Sequence, residues 1–215
     1  MRDREVDAVA ASRECELKMR IESRRDFLDL RDSERWGTRS APIRQVNHYF
    51  DTADLLLMKQ GMLLRIREAE GGSILTLKCG KEVSPGTFDS IELESAVARA
   101  TLESALVKPE MLLDLGVSAM DELRRRAGRP PLRFVGSLDN ERVRRELQGW
   151  ILEVDCLTLP DGSQIYEIEI ETEAVDRAWD WVERNLRARG LRLVPQRRTK
   201  FEELIEWRRA AGAPR

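Results

Sequence analysis

Charged and apolar residues alternate repeatedly along the chain, which is the pattern of a β-strand with two different faces. The alternation is clearest near the N-terminus, at residues 14–18, where Glu14, Glu16 and Lys18 share one face. A single strand of this kind usually keeps its charged face in water. The interpretation therefore depends on whether other strands repeat the pattern.

The same period predicts further strands along the chain. They cover residues 45–51, 63–70, 74–79, 88–95, 132–135, 142–149, 150–158, 164–172 and 191–195. Gly71-Gly72 and Pro160-Asp161-Gly162 separate consecutive strands and predict tight turns. Strand therefore outnumbers helix where the periodicity is clear.

Apolar residues at helical spacing predict helices between these strands. The predicted helices are 23–36, 52–60, 96–126 with interruptions at Pro109 and Gly116, 173–189, and 199–209. The most regular is 173–189, in which Trp179 lies on the apolar stripe and Gly190 ends the helix. Each of these apolar stripes needs a surface to cover.

Strands with one charged face fit two folds. In a sandwich of two sheets the charged faces would lie in water, whereas in a closed barrel they could line the interior. Two sheets packed face to face need no helical cover, yet this chain has several amphipathic helices. The helices therefore favour an α+β fold, mainly antiparallel β, in which a closed β-barrel carries amphipathic helices on its outside.

The composition adds two restrictions. The chain has 215 residues, with 39 acidic and 37 basic side chains and a net charge of -2, so no global charge attracts nucleic acid or an anionic membrane. Charged residues make up 35% of the chain, which a charge-lined interior would help to explain. We expect one domain at 13–209, between flexible tails at 1–12 and 210–215.

The cysteines and the N-terminal segment predict a cytoplasmic protein without a membrane partner. Cys15, Cys79 and Cys156 fall in separate predicted strands with no close pair, which favours free thiols in a reducing compartment. Residues 1–12 are too charged for a signal peptide, and the apolar runs are too short to cross a bilayer.

The charged faces also suggest a chemistry. Their carboxylates are Glu14, Glu16, Glu92, Glu94, Glu153, Asp155, Glu169 and Glu171. Enclosed together they would repel one another unless cations were bound, and oxygen ligands favour Mg²⁺, Mn²⁺ or Ca²⁺. The basic residues on these faces are Lys18, Arg65, Arg67, Lys78 and Arg142. Carboxylate-bound metal beside guanidinium groups is the arrangement of a phosphoryl-transfer site.

An ordered series of short motifs resembles the CYTH superfamily, also called triphosphate tunnel metalloenzymes. The motifs are Glu-x-Glu-x-Lys at 14–18, Phe-Asp-Thr at 50–52, Leu-Arg-Ile-Arg at 64–67, Leu-Thr-Leu-Lys at 75–78, Leu-Glu-Val-Asp at 152–155 and Tyr-Glu-Ile-Glu-Ile-Glu at 166–171. The first motif alone is weak, but the ordered set is specific and the resemblance runs from about 13 to 208. It implies an eight-stranded antiparallel barrel that forms a tunnel, with helices outside.

The resemblance also implies roles for individual residues. Divalent metal, Mg²⁺ or Mn²⁺, would be held by Glu14, Glu16, Glu169 and Glu171. The triphosphate would be bound by Lys18, Arg65, Arg67, Lys78, Arg142 and Lys200. Lys200 would also close over the substrate, although Arg197 and Arg198 are close in sequence. The attacking water would be oriented or activated by a member of the set Glu92, Glu94, Glu153 and Asp155. Glu167 is expected at the rim or in solvent.

The predicted function is metal-dependent hydrolysis of the terminal phosphate of inorganic tripolyphosphate. Leu63 stands where thiamine triphosphatases have a tryptophan, and residues 152–172 and 199–201 look most like the short tripolyphosphatases. Three alternatives stay open: a class IV adenylate cyclase, a thiamine or nucleoside triphosphatase, and a non-catalytic polyphosphate or nucleotide sensor. The expected partner is a small-molecule triphosphate, with no nucleic acid. Trp36 or Trp150 could stack on an organic head group, although packing is the commoner role.

Overall fold

A computed structural model describes residues 11–212 of the chain. The predicted flexible tails at 1–12 and 210–215 fall mostly outside this part and stay predictions. Within the described part, no helix is both long enough and apolar enough to cross a membrane.

In residues 11–212, ten strands form one antiparallel sheet. They are β1 Ser12–Ile21, β2 Thr38–Arg39, β3 Ile43–Asp51, β4 Met62–Ala69, β5 Gly72–Ser84, β6 Thr87–Val97, β7 Arg133–Leu147, β8 Trp150–Thr158, β9 Gln164–Glu171 and β10 Leu193–Pro195. Their order is β1-β6-β5-β4-β3-β7-β8-β9, and β9 pairs back with β1. These eight strands close into a barrel, while β2 and β10 add to β7 and β1. The predicted closed antiparallel barrel is confirmed.

One strand is longer than the sequence predicts. Residues 132–135 and 142–149 were expected as two strands, but β7 runs without interruption from Arg133 to Leu147. The prediction failed at residues 136–141, where glycine and polar residues hide the period. In the barrel these residues continue the alternation, with Leu138 and Asn140 buried and paired to β3 across Asn47 and Gln45.

Helices connect the strands. They are α1 Arg24–Asp32, α2 Leu56–Lys59, α3 Arg99–Val107, α4 Ser118–Ala127, α5 Val175–Asn185 and α6 Lys200–Ala210. Ser23 caps α1 by accepting the N–H of Asp26, and Thr199 with Glu202 forms a capping box on α6. The predicted helix 96–126 divides into α3 and α4 around a 3₁₀ turn at Pro109–Asp114.

Two apolar clusters lie between the barrel wall and the outer helices. In the first, α1 and α5 cover β1, β8 and β9, with Phe27 and Val182 in the same buried cluster as Leu17. In the second, α3 and α4 cover β4 and β5, with Leu102 and Met120 in the same buried cluster as strand residues. These strand residues alternate with the charged positions, so the helices cover the apolar outside of the barrel as predicted.

Helix α6 takes a different position, which the sequence did not indicate. It forms a third buried cluster at the end of the barrel where β3 and β8 finish and β4, β7 and β9 begin. The cluster consists of Phe201, Leu204, Ile205, Tyr49, Leu138, Leu157 and Ile165. Leu157 and Ile165 share a strand phase with Asp155 and Glu167, so they face the interior. Helix α6 therefore closes this end of the barrel with apolar side chains.

Candidate functional site

The barrel interior contains a cavity of 1090 Å³ that is lined mainly by charged side chains. The predicted site residues that line it are Glu14, Glu16, Lys18, Arg65, Arg67, Lys78, Glu92, Glu94, Arg142, Glu153, Glu169, Glu171 and Lys200. Asp155, the remaining member of the predicted set, also faces the interior but is fully buried beneath Arg142 and Lys200 and does not line the cavity. The strand period explains this gathering, because every second residue of a closed barrel faces inward.

One cluster surrounds Lys78 on β5. Its ammonium nitrogen lies 3.1 Å from a Glu14 oxygen, 3.1 Å from a Glu16 oxygen and 2.7 Å from a Glu92 oxygen. Burial alone would lower the pKa of Lys78, but the three carboxylates outweigh burial and raise the pKa. Lys78 therefore stays charged and holds the carboxylates of β1 and β6 together.

A second cluster, which we call the paired network, joins β1, β7, β8, β9 and α6. It consists of Lys18, Arg142, Asp155, Glu167, Glu169 and Lys200. Glu169 accepts hydrogen bonds from Lys18 at 2.8 Å, from Arg142 at 2.6 Å and from Lys200 at 2.7 Å. Burial would raise the pKa of Glu169, but these three cations lower it well below its usual range.

Asp155 belongs to the paired network although it does not reach the cavity. It accepts two hydrogen bonds from Arg142, at 2.6 and 2.7 Å, and lies 2.8 Å from Lys200. Burial opposes ionisation of Asp155, but Lys200 and Arg142 outweigh it and lower the pKa to about 2. Asp155 is therefore an ionised carboxylate that fixes two cations.

The expected exposure of Glu167 is wrong. Its side chain is 1% exposed, pairs with Lys200 and accepts a hydrogen bond from Gln196 at 3.3 Å. Glu167 keeps the inward phase of β9 and lies beneath α6, which covers the position that the sequence left at the rim. Burial and the neighbouring Glu169 raise the pKa of Glu167, although Lys200 opposes the shift.

The carboxylates toward the other end of β1 and β9 form what we call the acidic face, made of Glu14, Glu16 and Glu171. Glu16 and Glu171 are directly opposed in the pairing of the two strands. Burial and the charge of Glu92 raise the pKa of Glu14 to about 7 even though Lys78 is adjacent. Burial and the carboxylates of Glu153 and Glu16 raise the pKa of Glu171. The acidic face therefore carries negative charge that nearby cations do not fully compensate.

The donor set of the acidic face fits a hard divalent cation, because its ligand atoms are carboxylate oxygens. Asp155, Glu167 and Glu169 also bring ligand atoms within 4.8 Å of one another. Lys200 lies between these three carboxylates and binds each of them. The acidic face is the better fit, since Glu171 forms no ion pair within residues 11–212 and Glu14 has Lys78 as its one cationic partner there.

The opposite charge is in excess on β4, where Arg65 and Arg67 form what we call the arginine pair. Within residues 11–212, neither guanidinium lies within 4.0 Å of a carboxylate oxygen. Arg67 donates to the side-chain oxygen of Asn47 at 3.1 Å, whereas the Nε–H of Arg65 is buried without an acceptor. Burial, together with the charges of Arg65 and Arg142, lowers the pKa of Arg67 to about 10.

Several polar residues around the cavity escaped the sequence reasoning. Asn47 and Tyr49 face the interior from β3, and Gln196 ties the segment before α6 to Lys18 through its backbone N–H. The alternation along β3 could have identified Asn47 and Tyr49, because they share a strand phase. Gln196 lies between elements and gave no periodic signal.

The tryptophans lie away from the cavity. Trp36 is fully buried, with the guanidinium groups of Arg35 and Arg189 each 4.5 Å from its ring centre. Trp150 packs on Trp181 with ring centres 5.9 Å apart in the outer cluster of α1 and α5. Among the described residues, the cavity lining includes no tryptophan. The aromatic residues that do line it are Tyr49, Phe88 and Phe201.

Comparison with known proteins gives one family and several related structures. A model of the CYTH domain matches residues 12–203. A candidate adenylyl cyclase from Hippeastrum, described with a dominant triphosphatase activity, has a TM-score of 0.79 and 24% identity, over 90% of this chain and 95% of that chain. A candidate adenylate cyclase from Bacillus halodurans gives a TM-score of 0.70 and 26% identity, over 89% and 97%. A Pyrococcus horikoshii protein gives 0.60 and 18%, over 90% and 99%. A search of curated proteins finds no significant match.

Proposed function

Because the chain belongs to the CYTH domain family, we propose that it hydrolyses the terminal phosphate of inorganic tripolyphosphate. The observation that carries this proposal is the arginine pair, two half-buried guanidinium groups without carboxylate partners in the described residues. Charge that is partly withdrawn from water needs compensation, and a chain of phosphates supplies several anionic oxygens to a surface of this kind. The acidic face on the same cavity then provides a place for the metal that accompanies such a substrate.

Binding of the phosphate chain is assigned to the cations of the cavity. They are Lys18, Arg65, Arg67, Lys78, Arg142 and Lys200. The arginine pair offers the most donors, because its guanidinium groups bind no carboxylate that would have to be displaced. Lys18, Arg142 and Lys200 would each keep their contact with Glu169 and also donate hydrogen bonds to the substrate. These contacts would orient the phosphate chain against the barrel wall.

We propose that Mg²⁺ or Mn²⁺ is held by Glu14, Glu16, Glu169 and Glu171. When bound, the ion would polarise a phosphoryl oxygen and neutralise charge on the leaving group. Glu14 and Glu171, whose pKa values are raised, would be the primary ligands, together with Glu16, which lies 3.3 Å from Lys18 and 3.1 Å from Lys78. Glu169 would join them only by exchanging one of its three cationic partners.

The carboxylates assigned to water differ in what they can do. Glu94 and Glu153 line the cavity; Glu94 accepts a hydrogen bond from Thr76 at 2.9 Å, and Glu153 accepts one from Arg144 at 2.9 Å. We propose that these two residues orient the attacking water. Lys78 and Arg65 outweigh burial and lower the pKa of Glu92 to about 2, so this residue is an ionised partner of Lys78. Asp155 would act indirectly, through Arg142 and Lys200.

The inorganic substrate is favoured by the walls of the cavity. Leu63 lines the cavity, and the described lining residues include no tryptophan that could stack on thiamine or a purine. We also propose a reducing cytoplasmic compartment, because Cys15, Cys79 and Cys156 carry free thiols.

A second candidate function is adenylate cyclisation. The Bacillus halodurans relative, which is 26% identical, is described as a candidate adenylate cyclase. A cyclase would use the ribose hydroxyl of ATP as the nucleophile and release pyrophosphate together with cyclic AMP. The two functions therefore give different products from ATP.

The test is phosphate release from tripolyphosphate, ATP and thiamine triphosphate, each with Mg²⁺ and with Mn²⁺. We expect metal-dependent orthophosphate release that is fastest with tripolyphosphate. Glu16→Gln should abolish turnover, whereas Glu103→Gln, on the exposed face of α3, should behave like wild type. Cyclic AMP formation from ATP would favour the cyclase, and tight tripolyphosphate binding without hydrolysis would favour a sensor.

A further inference from the structure

Tyr49 on β3 occupies a position that the proposed chemistry does not yet use. It lines the cavity and its side chain is 1% exposed. The ring stacks on Phe201 of α6, with ring centres 5.0 Å apart and an angle of 28° between the planes. Across the sheet Tyr49 is opposite Arg65 on one side and Gly136 on the other. The ring is therefore fixed between the barrel wall and α6.

The hydroxyl group of Tyr49 is buried and has no hydrogen-bond partner in residues 11–212. Buried hydroxyl groups almost always have a partner, because an unpaired one loses its hydration without compensation. The Nε–H of the directly opposed Arg65 also lacks an acceptor. Two neighbouring donors on adjacent strands are thus without an acceptor at the same place in the cavity wall.

The charges around the hydroxyl define the acceptor that would fit. Arg65, Lys200, Arg67 and Lys18 all act on Tyr49 electrostatically. Burial outweighs these cations and raises the pKa of Tyr49, so the phenol keeps its proton and remains a donor. Because four cations surround the hydroxyl, the hydrogen-bond acceptor that fits best beside it is an anion.

We propose that the Tyr49 hydroxyl donates a hydrogen bond to a non-bridging oxygen of the phosphate chain, next to the Nε–H of Arg65 and at the end of the cavity that α6 closes. This inference rests on the proposed function, because it requires a phosphate chain in the cavity. It adds a neutral donor to a site whose other contacts are cations. Since the ring packs on Phe201, the residue that follows Lys200, the contact also links the bound anion to α6.

The chain provides a matched control for this residue. Its two tyrosines are Tyr49 and Tyr166. Tyr166 stacks on Phe27 with ring centres 4.4 Å apart, on the outer side of the barrel, and its hydroxyl donates to the side-chain oxygen of Gln164 at 2.8 Å. Tyr49→Phe and Tyr166→Phe thus remove one hydroxyl each and keep a stacked ring.

The first measurement is NMR of the full chain labelled with ¹³Cζ-tyrosine, titrated with tripolyphosphate in metal-free buffer. The two tyrosines give two resonances, which Tyr166→Phe assigns. We expect tripolyphosphate to shift the Tyr49 resonance and leave that of Tyr166 in place. Saturating ligand without a shift at Tyr49 would overturn the inference.

The second measurement is calorimetric binding of tripolyphosphate to wild type and both variants. We expect Kd to increase about tenfold in Tyr49→Phe, the scale of a hydrogen bond to a charged group, and to stay unchanged in Tyr166→Phe. The Tm of free Tyr49→Phe should equal or exceed that of wild type, because the variant loses an unpaired buried hydroxyl. A purely structural role predicts the opposite, a lower Tm with unchanged affinity.

These outcomes separate this inference from the function on which it rests. If wild type binds and hydrolyses tripolyphosphate and Tyr49→Phe does both equally well, the role of Tyr49 is refuted and the function stands. If wild type neither binds nor hydrolyses a triphosphate, both are refuted.

Discussion

Charged side chains fill the barrel interior in two regions that differ in how completely they are paired. In the paired network beside α6, Glu169 alone receives three cations and Asp155 receives two. In the other region, the arginine pair lacks carboxylate partners among the described residues, and the pKa values of Glu14 and Glu171 on the acidic face are raised. Both regions follow from the same alternation of residues, so the pattern cannot distinguish them. The difference suggests that the paired network contributes most to stability, whereas the second region has more charge that is free to bind a ligand.

Removing Lys200 should have the largest effect on stability, because it leaves Asp155, Glu167 and Glu169 buried with too little positive charge. Breaking a buried ion pair by removing one partner costs about 3–5 kcal/mol. We expect Lys200→Met to lower the free energy of unfolding in urea by an amount in this range. Lys108→Met, on an exposed position, should change it little. A loss of less than about 1 kcal/mol for Lys200→Met would mean that the network is not structural.

Removing a member of the arginine pair should reduce activity strongly and should not lower the free energy of unfolding. Arg67→Gln relieves repulsion with Arg65 and Arg142, so the free energy of unfolding should stay constant or rise. Loss of a charge-assisted contact to phosphate should reduce kcat/KM for tripolyphosphate about a hundredfold, equivalent to about 2.7 kcal/mol. Arg44→Gln, whose side chain is 79% exposed and pairs with Asp139, is the control. Normal activity in Arg67→Gln would remove this residue from the binding site.

Acid should act on the paired network. The pKa of Asp155 is about 2 in the folded protein and lies near 3.9 in an unfolded chain. Its contribution is therefore fully present above pH 4 and is lost as the pH falls toward 2, by about 2 kcal/mol. Urea unfolding at a series of pH values should show this decline, with a shallower slope in Asp155→Asn. Equal slopes would show that Asp155 does not titrate with folding.

The acidic face should change the free energy of unfolding with pH in the direction opposite to that of Asp155, and by a smaller amount. Glu14 has a pKa of about 7 when folded, above its unfolded value near 4.3. Its ionisation therefore opposes folding, and stability present at pH 4 is lost as the pH rises through 7. The full pKa difference is equivalent to about 4 kcal/mol, and solvent screening at this side chain, which is 24% exposed, should reduce the loss to about 1 kcal/mol. Urea unfolding in metal-free buffer should show this decline in wild type and not in Glu14→Gln. Added Mg²⁺ should remove it, and an unchanged decline in saturating Mg²⁺ would place the metal elsewhere.

The sequence was sufficient for the barrel and for most of its lining. A strand has a period of two, so the positions of Glu16 and Lys18 fixed which residues share a face, and unpartnered helical stripes indicated what covers the other face. Glu167 could not be placed in this way. Its phase was readable, but its burial depends on α6, which is distant in sequence and packs across the end of the barrel.

Pairing within the interior was also beyond the sequence. Arg142 and Arg67 have the same residue type and the same inward phase, yet Arg142 binds Glu153, Asp155 and Glu169 while Arg67 binds Asn47. Which carboxylate lies across the interior depends on strand register and barrel closure. For the same reason nothing in the sequence indicated that the Tyr49 hydroxyl lacks a partner within residues 11–212.

The apolar closure of one barrel end by α6 affects how substrate enters and how products leave. A barrel open at both ends could take in substrate at one end and discharge products at the other, but among residues 11–212 the apolar cluster of Phe201 and Leu204 covers one end of this barrel. Orthophosphate and pyrophosphate would have to leave by the route that the next substrate uses. Product release and substrate binding would then compete for the same opening, and kcat would depend on the rate at which the product anions dissociate.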